Sequence, residues 1–529
     1  MTAPWHAGWR DGVPALLAQQ WDLLIIGGGI TGAGILLEAS RRGLKALLVE
    51  QRDFAWGTSS RSSKLVHGGL RYLKEGKFAL TRESVREREA LLRDAPGLVA
   101  PQRFAFADYK GRKPGRKTFL LGLAIYDRMA GLRERHYVDA GEFAMMAPNI
   151  GREGLQGGMC YTDAKTDDAR LVLRVLQEAQ AHGGVAVNYV AAQSLLRDEQ
   201  GQVGGARLRV GAHEQDVYAR LVVNATGAWA DGLRGQLGGA ARLRPLRGSH
   251  LVLPAWRLPL AQAISLMHPQ DGRPVFAFPW EGVTLAGTTD VDHGADLQQE
   301  AAITRAETDY LMAALHAQFP QLGLGDADII ATYAGVRPVI DSGQGTPSQA
   351  ARDHAVWLDA GLLTVTGGKL TTFRVIALDA LRHAQPLLPG WHDALAPQPV
   401  FAAPAPLGAA AATLNPTQRQ RLQGRYGAQA GALLAAAQPG ELDTIAGTET
   451  LWAELRWAAR AEAVQQLDDL LLRRTRLGLQ LRGGGVAELA RIRAICQHEL
   501  GWSAAAWQAA ETAYLTLWTT HYSVPEPHA

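Results

Sequence analysis

Apolar and polar positions along this chain fall into blocks of two kinds. Trp21–Asp22–Leu23–Leu24–Ile25–Ile26 is an apolar run of strand length that ends in glycines. Residues 27–40 are rich in Ala, Leu and Ile and predict a helix, and Leu44 to Glu50 predicts a second buried strand. The head of the chain is therefore a β-α-β unit. From about 150 to 385, short strand-like runs alternate with turns. Leu221 to Gly227 is an apolar strand ending in small residues, and Leu285 to Asp290 and Leu362 to Thr366 follow the same pattern. Six prolines fall within residues 386–406, a density that breaks regular structure and predicts a linker. Beyond it the chain is rich in Ala, Leu and Gln, and Trp452 to Leu472 has helical periodicity, so a helical part is expected from 407 to 529.

Composition narrows the function classes. A chain of 529 residues with 47% hydrophobic residues is too long for one compact domain. The net charge of +3 offers no bulk field for nucleic acid, and none is expected as a partner. Cys160 and Cys496 match no metal or redox spacing, so two reduced thiols, a reducing compartment and no metal are expected. Met1 to Gln20 lacks the pattern of a secretory signal, and no apolar stretch reaches membrane-spanning length.

Gly27-x-Gly29-x-x-Gly32 follows a predicted strand and opens a predicted helix. The first glycine permits a tight turn, the second lets a pyrophosphate approach the backbone, and the third lets helix pack on strand. Phosphates then sit at the positive end of the helix. Glu50 ends the next strand, placed to accept hydrogen bonds from a ribose diol. Gly483–Gly484–Gly485 lacks the third glycine and falls in a helical region, so the chain carries a single dinucleotide fingerprint. A flavin reductase using free nicotinamide would often need two, which favours FAD.

The segment Thr58–Ser59–Ser60–Arg61–Ser62–Ser63–Lys64–Leu65–Val66–His67–Gly68–Gly69–Leu70–Arg71–Tyr72–Leu73 closely resembles one in the FAD-linked, respiratory glycerol-3-phosphate dehydrogenases, within the D-amino-acid oxidase-like flavoproteins. Matches continue in order through Val223 to Trp229, Arg247 to His250, Gly287 to Asp290, Tyr333 to Pro338, Arg352–Asp353, Gly367 to Thr372 and Asp468 to Thr475. The resemblance covers roughly residues 20 to 480. It implies an α/β fold: a discontinuous Rossmann-like FAD-binding domain over 20–385 with an interleaved antiparallel-sheet substrate domain, the linker 386–406, and the helical domain 407–529. It also implies FAD contacts from Gly27, Gly29, Gly32 and Glu50, and from Thr58, Ser59, Ser60, Ser63, Lys64, His67 and Gly68. Ala225, Thr226 and Gly227, then Gly368, Lys369, Leu370 and Thr371, complete that set.

The implied reaction is oxidation of sn-glycerol 3-phosphate to dihydroxyacetone phosphate, with hydride passing from C2 to flavin N5. The resemblance places Arg71, Tyr72, Arg337, Arg352 and Lys369 around the substrate, with Arg337 and Arg352 assigned chiefly to phosphate. His250 is the candidate general base, and Arg337 could instead stabilise the developing alkoxide. Six Lys/Arg between Arg103 and Lys117 precede the apolar segment Phe119 to Met129, and on a helical wheel the polar Lys117, Asp127 and Arg128 cluster, leaving a broad apolar side. That pattern suits an anionic membrane surface. The family's bacterial members dock on the cytoplasmic face of the membrane, reduce quinone and form homodimers. Alternatives are a glycerol-3-phosphate oxidase using oxygen, an amino-acid oxidase of the same fold, and a flavin-bound sensor or scaffold without turnover. The N-terminal arm to Gln20 is longer than the family leads one to expect.

Overall fold

The structure, a computed structural model, describes residues 5–6, 8–74, 76–112, 115–131, 133–341 and 353–526. Strand Trp21–Ile26 pairs in parallel with Ala46–Glu50 on one side and with the end of His213–Asn224 on the other. The sheet runs His354–Asp359, Leu362–Gly367, His213–Asn224, Trp21–Ile26, Ala46–Glu50, Val185–Asn188, and only the first pairing is antiparallel. Leu23 and Ile25 pack under the helices Ile30–Ser40, Asp168–Ala181 and Phe373–Ala384. Leu24 and Ile26 face an antiparallel layer, Val190–Arg197, Val203–Val210 and the start of His213–Asn224. Burial on both faces explains why the strand reads as a continuous apolar run rather than an alternating one.

The predicted helix over 27–40 begins only at Ile30, because Gly27 to Gly29 form the turn before it. The N-terminal arm is part of this layer: Val13 and Leu17 of the short helix Val13–Leu17 are buried against Leu24 and Leu47, and Trp5 donates to the Ala186 carbonyl at 3.0 Å.

The second sheet has ten strands among the described residues. Its main path runs Val291–Asp292, Leu243–Pro254, Val283–Gly287, Pro274–Trp280, Ala263–Met267, Val99–Tyr109, Leu155–Thr166, Leu65–Val66. Ala331–Ile340 pairs with Leu243–Pro254, and His136–Asp139 with Leu155–Thr166. Every pairing is antiparallel except that of Ala263–Met267 with Val99–Tyr109. Because chain segments of the two sheets alternate in sequence, the cofactor loop after Glu50 runs directly from the first sheet into the second.

Residues 386–406 form a strap. Leu388, Leu395, Val400 and Phe401 are buried in the core under the first sheet's helices, and the Ala396, Gln398 and Pro399 carbonyls accept from Arg42, Arg374 and Arg41. The C-terminal helices include Pro416–Tyr426, Trp452–Ala461, Leu489–Glu499 and Ala504–His521. The periodicity from Trp452 to Leu472 is not one helix. It stops at Ala461 and resumes as a π-helical turn, Asp469–Arg474, closed by the Thr475 N–H on the Leu470 carbonyl at 3.0 Å.

Candidate functional site

A cavity of roughly 550 Å³ runs from the Gly27–Gly32 turn to the second sheet. At the first end the backbone itself is the wall. Gly27 has φ +119°, and a Cβ there would lie 2.5 Å from the Ala225 carbonyl oxygen. A Cβ on Gly32 would lie 2.0 Å from the Gly27 carbonyl oxygen, so strand and helix meet at a distance only glycine allows. Ser59 Oγ accepts from the Ile30 N–H at 3.0 Å, tying the Ser-rich loop to the first turn of helix Ile30–Ser40. Glu50 accepts from the Gly28 N–H at 2.7 Å and the Arg52 N–H at 2.9 Å while lining the cavity. Burial raises the pKa of its carboxyl group, against the two N–H groups that lower it. These residues fit a dinucleotide: an open glycine turn, helix amides and one carboxylate in line. Thr226 and Gly227 line the same wall, where Thr226 Oγ1 donates to Asn224 Oδ1 at 2.7 Å.

The other end is built from side chains. Ser62, Ser63 and His67 enter from the loop, Thr288 and Arg337 from the second sheet, and Gly368 to Thr371 from the turn before helix Phe373–Ala384. Gly368 has φ +74°, and a Cβ there would meet Ile376 Cδ1 at 2.5 Å. Arg337 donates to Asp290 Oδ1 at 2.9 Å and Thr288 Oγ1 at 3.0 Å, so its guanidinium is aimed from both sides. Lys369 Nζ donates to Ser84 Oγ at 2.5 Å and lies 4.3 Å from the centre of the Tyr72 ring.

His250 stands one residue back from the cavity. Its register partners are Tyr333 and Gly287, its ring stacks on Tyr333 at 4.6 Å, and its Nε2 lies 2.9 Å from Ser63 Oγ. Its Nδ1 is buried with no hydrogen-bond partner among the described residues. Burial first, then the charges of Arg337 and Lys64, hold its pKa well below the usual histidine value of 6.5. Thus Ser63, not His250, lines the cavity.

Gly27, Gly29, Glu50, Thr58, Ser59, Ser63, His67, Ala225, Thr226, Gly227, Arg337, Gly368, Lys369, Leu370 and Thr371 share the cavity wall, with Gly32 packed directly behind it. Ser60, Lys64, Gly68 and Tyr72 are buried beside the wall rather than in it. Lys64 turns away to Asp168, at 3.0 Å, and burial with the Arg476 charge pushes its pKa down to about 8. Gly68 packs where a Cβ would meet Tyr126 and Val85. Arg352 and the Arg71 side chain lie outside the described residues.

Sequence reasoning did not single out Trp56, Arg61, Thr288 or Phe276 as site residues, yet all line the cavity. Arg61 and Thr288 lie inside the motifs Thr58 to Leu73 and Gly287 to Asp290. Trp56 and Phe276 carried no local signal, since an aromatic residue on a strand or turn reads as core. Trp56 donates to Glu300 Oε2 at 3.0 Å and packs 5.7 Å from Trp229.

Residues 22–374 match the FAD-dependent oxidoreductase (DAO) family, and residues 396–507 match the C-terminal domain of alpha-glycerophosphate oxidase. The aerobic glycerol-3-phosphate dehydrogenase of Staphylococcus saprophyticus is 40% identical over 371 residues, which are 68% of this chain and 66% of that protein, so the match spans slightly under two thirds of the relative. The crystal structure of glycerol-3-phosphate dehydrogenase from Bacillus halodurans, complexed with FAD, superposes with a TM-score of 0.77 at 28% identity and 99% coverage of both chains. An L-alpha-glycerophosphate oxidase from Mycoplasma pneumoniae shares the fold over 70% of this chain and 97% of its own, with a TM-score of 0.56 at 18% identity. The glycine cradle has the form a dinucleotide needs and the family match runs through all of it, and on these grounds the chain belongs to the FAD-dependent oxidoreductases.

Proposed function

We propose that this protein oxidises sn-glycerol 3-phosphate at C2 to dihydroxyacetone phosphate. The observation that carries the reading is Arg337, held by Asp290 and Thr288 with its guanidinium on the cavity wall, in a chain 40% identical to an aerobic glycerol-3-phosphate dehydrogenase. Bound FAD supplies the hydride acceptor. Arg337, with Arg352, binds the phosphate, because a planar guanidinium donates paired hydrogen bonds to a dianion. Lys369 and Arg71 orient the glycerol part, and Tyr72, behind the wall, holds Lys369 over its ring at 4.3 Å. The proton of the C2 hydroxyl passes to Ser63 Oγ as the Ser63 hydroxyl gives its own proton to His250 Nε2, 2.9 Å away. The division into 20–385, the segment 386–406 and a helical part from 407 belongs to this reading, supported by the change from strands to helices across the strap.

Quinone at a membrane surface is the acceptor in this proposal, with the chain on the cytoplasmic face as a homodimer. No described helix is long and apolar enough to cross a membrane. Helix Arg116–Ala130 buries Leu123 and Tyr126 and leaves Leu121 and Ile125 exposed on its outer side, beside the exposed Arg116 and Lys117. Asp127, grouped with Lys117 on the helical wheel, is instead buried and accepts from Arg135 at 3.0 Å. Arg112 is turned inward onto Phe106 and the Ala107 carbonyl, and Lys113 lies outside the described residues. Oxygen as acceptor is the second reading, favoured by the match of residues 396–507 to an oxidase C-terminal domain.

A dye-linked assay of the purified holoprotein with sn-glycerol 3-phosphate, glycerol and amino acids tests the substrate. Turnover on the phosphate ester alone is expected, and turnover on an amino acid without it overturns the reading. Oxygen uptake without added quinone decides between the acceptors.

A further inference from the structure

The cofactor loop between Glu50 and Leu65 has a front and a back. Its front, including Thr58, Ser59, Ser62 and Ser63, lines the cavity. Its back rests on one turn of the C-terminal helices, Arg473–Arg474–Thr475–Arg476, all four residues of which are buried. Arg473 Nε donates to Asp53 at 2.5 Å, and both terminal nitrogens of Arg474 donate to the same carboxylate at 2.6 and 2.8 Å. Arg476, in the left-handed region at φ +66°, donates through Nε to Asp167 at 2.9 Å. Its other arm donates to the Ser60 carbonyl at 3.1 Å and pairs with Asp168. Asp168 in turn accepts from the Ser62 N–H at 2.9 Å and from Ser62 Oγ at 2.7 Å.

We propose that this turn is a positioning clamp for the cofactor loop. Arg476, acting through Asp168 and the Ser60 carbonyl, presets Ser62 and Ser63 at the cavity wall, while Arg473 and Arg474 fix Asp53, three residues beyond Glu50. The loop has little regular structure of its own, so ordering it costs conformational entropy at each residue. An external scaffold that meets this cost before the cofactor arrives leaves more of the binding energy as affinity. The guanidinium fork suits the task, because one side chain bridges two carboxylates and a carbonyl in fixed directions. The C-terminal helices are thereby a component of the cofactor site, although none of their described residues lines the cavity. The inference rests on FAD occupying this cavity.

The test uses the full chain, stripped of flavin and titrated with FAD by flavin fluorescence, with the visible spectrum and the Tm recorded alongside. Arg476→Ala is expected to raise the FAD Kd at least tenfold and to change the shape of the bound-flavin absorption bands. Arg456→Met is the control. Arg456 pairs with Glu441 and Glu499 within the C-terminal helices and does not touch the loop, so its loss should lower Tm while leaving the FAD Kd within twofold. If Arg476→Ala yields no soluble protein, Arg476→Lys, which keeps the charge but loses the fork, is judged on the same tenfold scale. A Kd within twofold of wild type for the Arg476 variant overturns the clamp, as does an equal rise in Arg456→Met. Failure of the wild type to bind FAD would instead overturn the reading of the cavity itself.

Discussion

The two ends of the cavity are made of different material. The dinucleotide end is backbone: glycines at 27, 29 and 32, helix amides and a single carboxylate, Glu50, all within 30 residues of chain. The other end is side chains on elements far apart in sequence, with Ser63, Thr288, Arg337 and Lys369 brought together by two sheets and a turn. A backbone site is sensitive to added bulk and indifferent to most side-chain chemistry. A side-chain site is the reverse: its residues are aimed by partners such as Asp290, Ser84 and His250, and removing one leaves another without its charge or hydrogen bond.

Added bulk in the glycine cradle tests the first half of that contrast. Gly32→Ala forces a Cβ to 2.0 Å from the Gly27 carbonyl oxygen, where no flexible side chain can yield. Overpacking of this kind costs about 1–3 kcal/mol, and here it falls on the cradle itself. FAD affinity should drop on the order of 10- to 100-fold in a fluorescence titration, with secondary structure retained. Wild-type affinity in this variant would break the comparison, since the cradle would then have room to spare.

Arg337→Ala should act at the other end alone. The kcat/KM for sn-glycerol 3-phosphate is expected to fall by about 2–5 kcal/mol, as for truncation of a buried charge pair, with flavin content near wild type. Asp290 also faces Arg273 at 3.6 Å, so Arg337→Ala with Asp290→Asn separates phosphate binding from the cost of losing the Arg337–Asp290 ion pair. An unchanged kcat/KM sinks the phosphate assignment.

His250 and Ser63 should give a smaller loss, about 10²-fold in turnover, within the range for a positioned proton acceptor. If they act in series, Ser63→Ala with His250→Asn should be little worse than either change alone. The pKa of His250 lies well below 6.5, so an activity limb due to this residue falls on the acid side of that value rather than near neutrality. The same depression has a stability consequence. Below about pH 6.5 the unfolded chain binds a proton at this position that the folded chain does not, so stability falls as pH falls through that range. His250→Asn should flatten that part of a Tm-against-pH curve, and an unaltered slope would count against the buried neutral imidazole.

The smallest effect lies outside both ends and serves as their control. Arg116→Ala with Lys117→Ala should weaken binding to anionic vesicles by about 1 kcal/mol per charge at low salt, with FAD affinity and dye-linked kcat/KM unchanged. Vesicle binding equal to wild type at low salt would remove this helix from the membrane proposal.

What the sequence determined by itself is the part whose physics is local. A strand, a glycine turn and a helix adjacent in the chain can form only one cradle, so Gly27, Gly29, Gly32 and Glu50 were legible from spacing, as were the strands at Trp21–Ile26 and Leu362–Gly367. Helical periodicity placed the C-terminal helices, though it missed the break after Ala461, where apolar spacing carries on through a π-helical turn. Tertiary structure alone decided which side of the Ser-rich loop each residue takes. Ser63 meets the cavity while Ser60 and Lys64 turn to its back, because Asp168 and Arg476 stand there, more than 100 and 400 positions away in the chain. It also set His250 behind Ser63, through a register with Tyr333 and Gly287 that no local pattern encodes. Charges and hydrogen bonds act over a few ångströms of space, and sequence separation says nothing about which partners fall within that distance until the sheets are assembled.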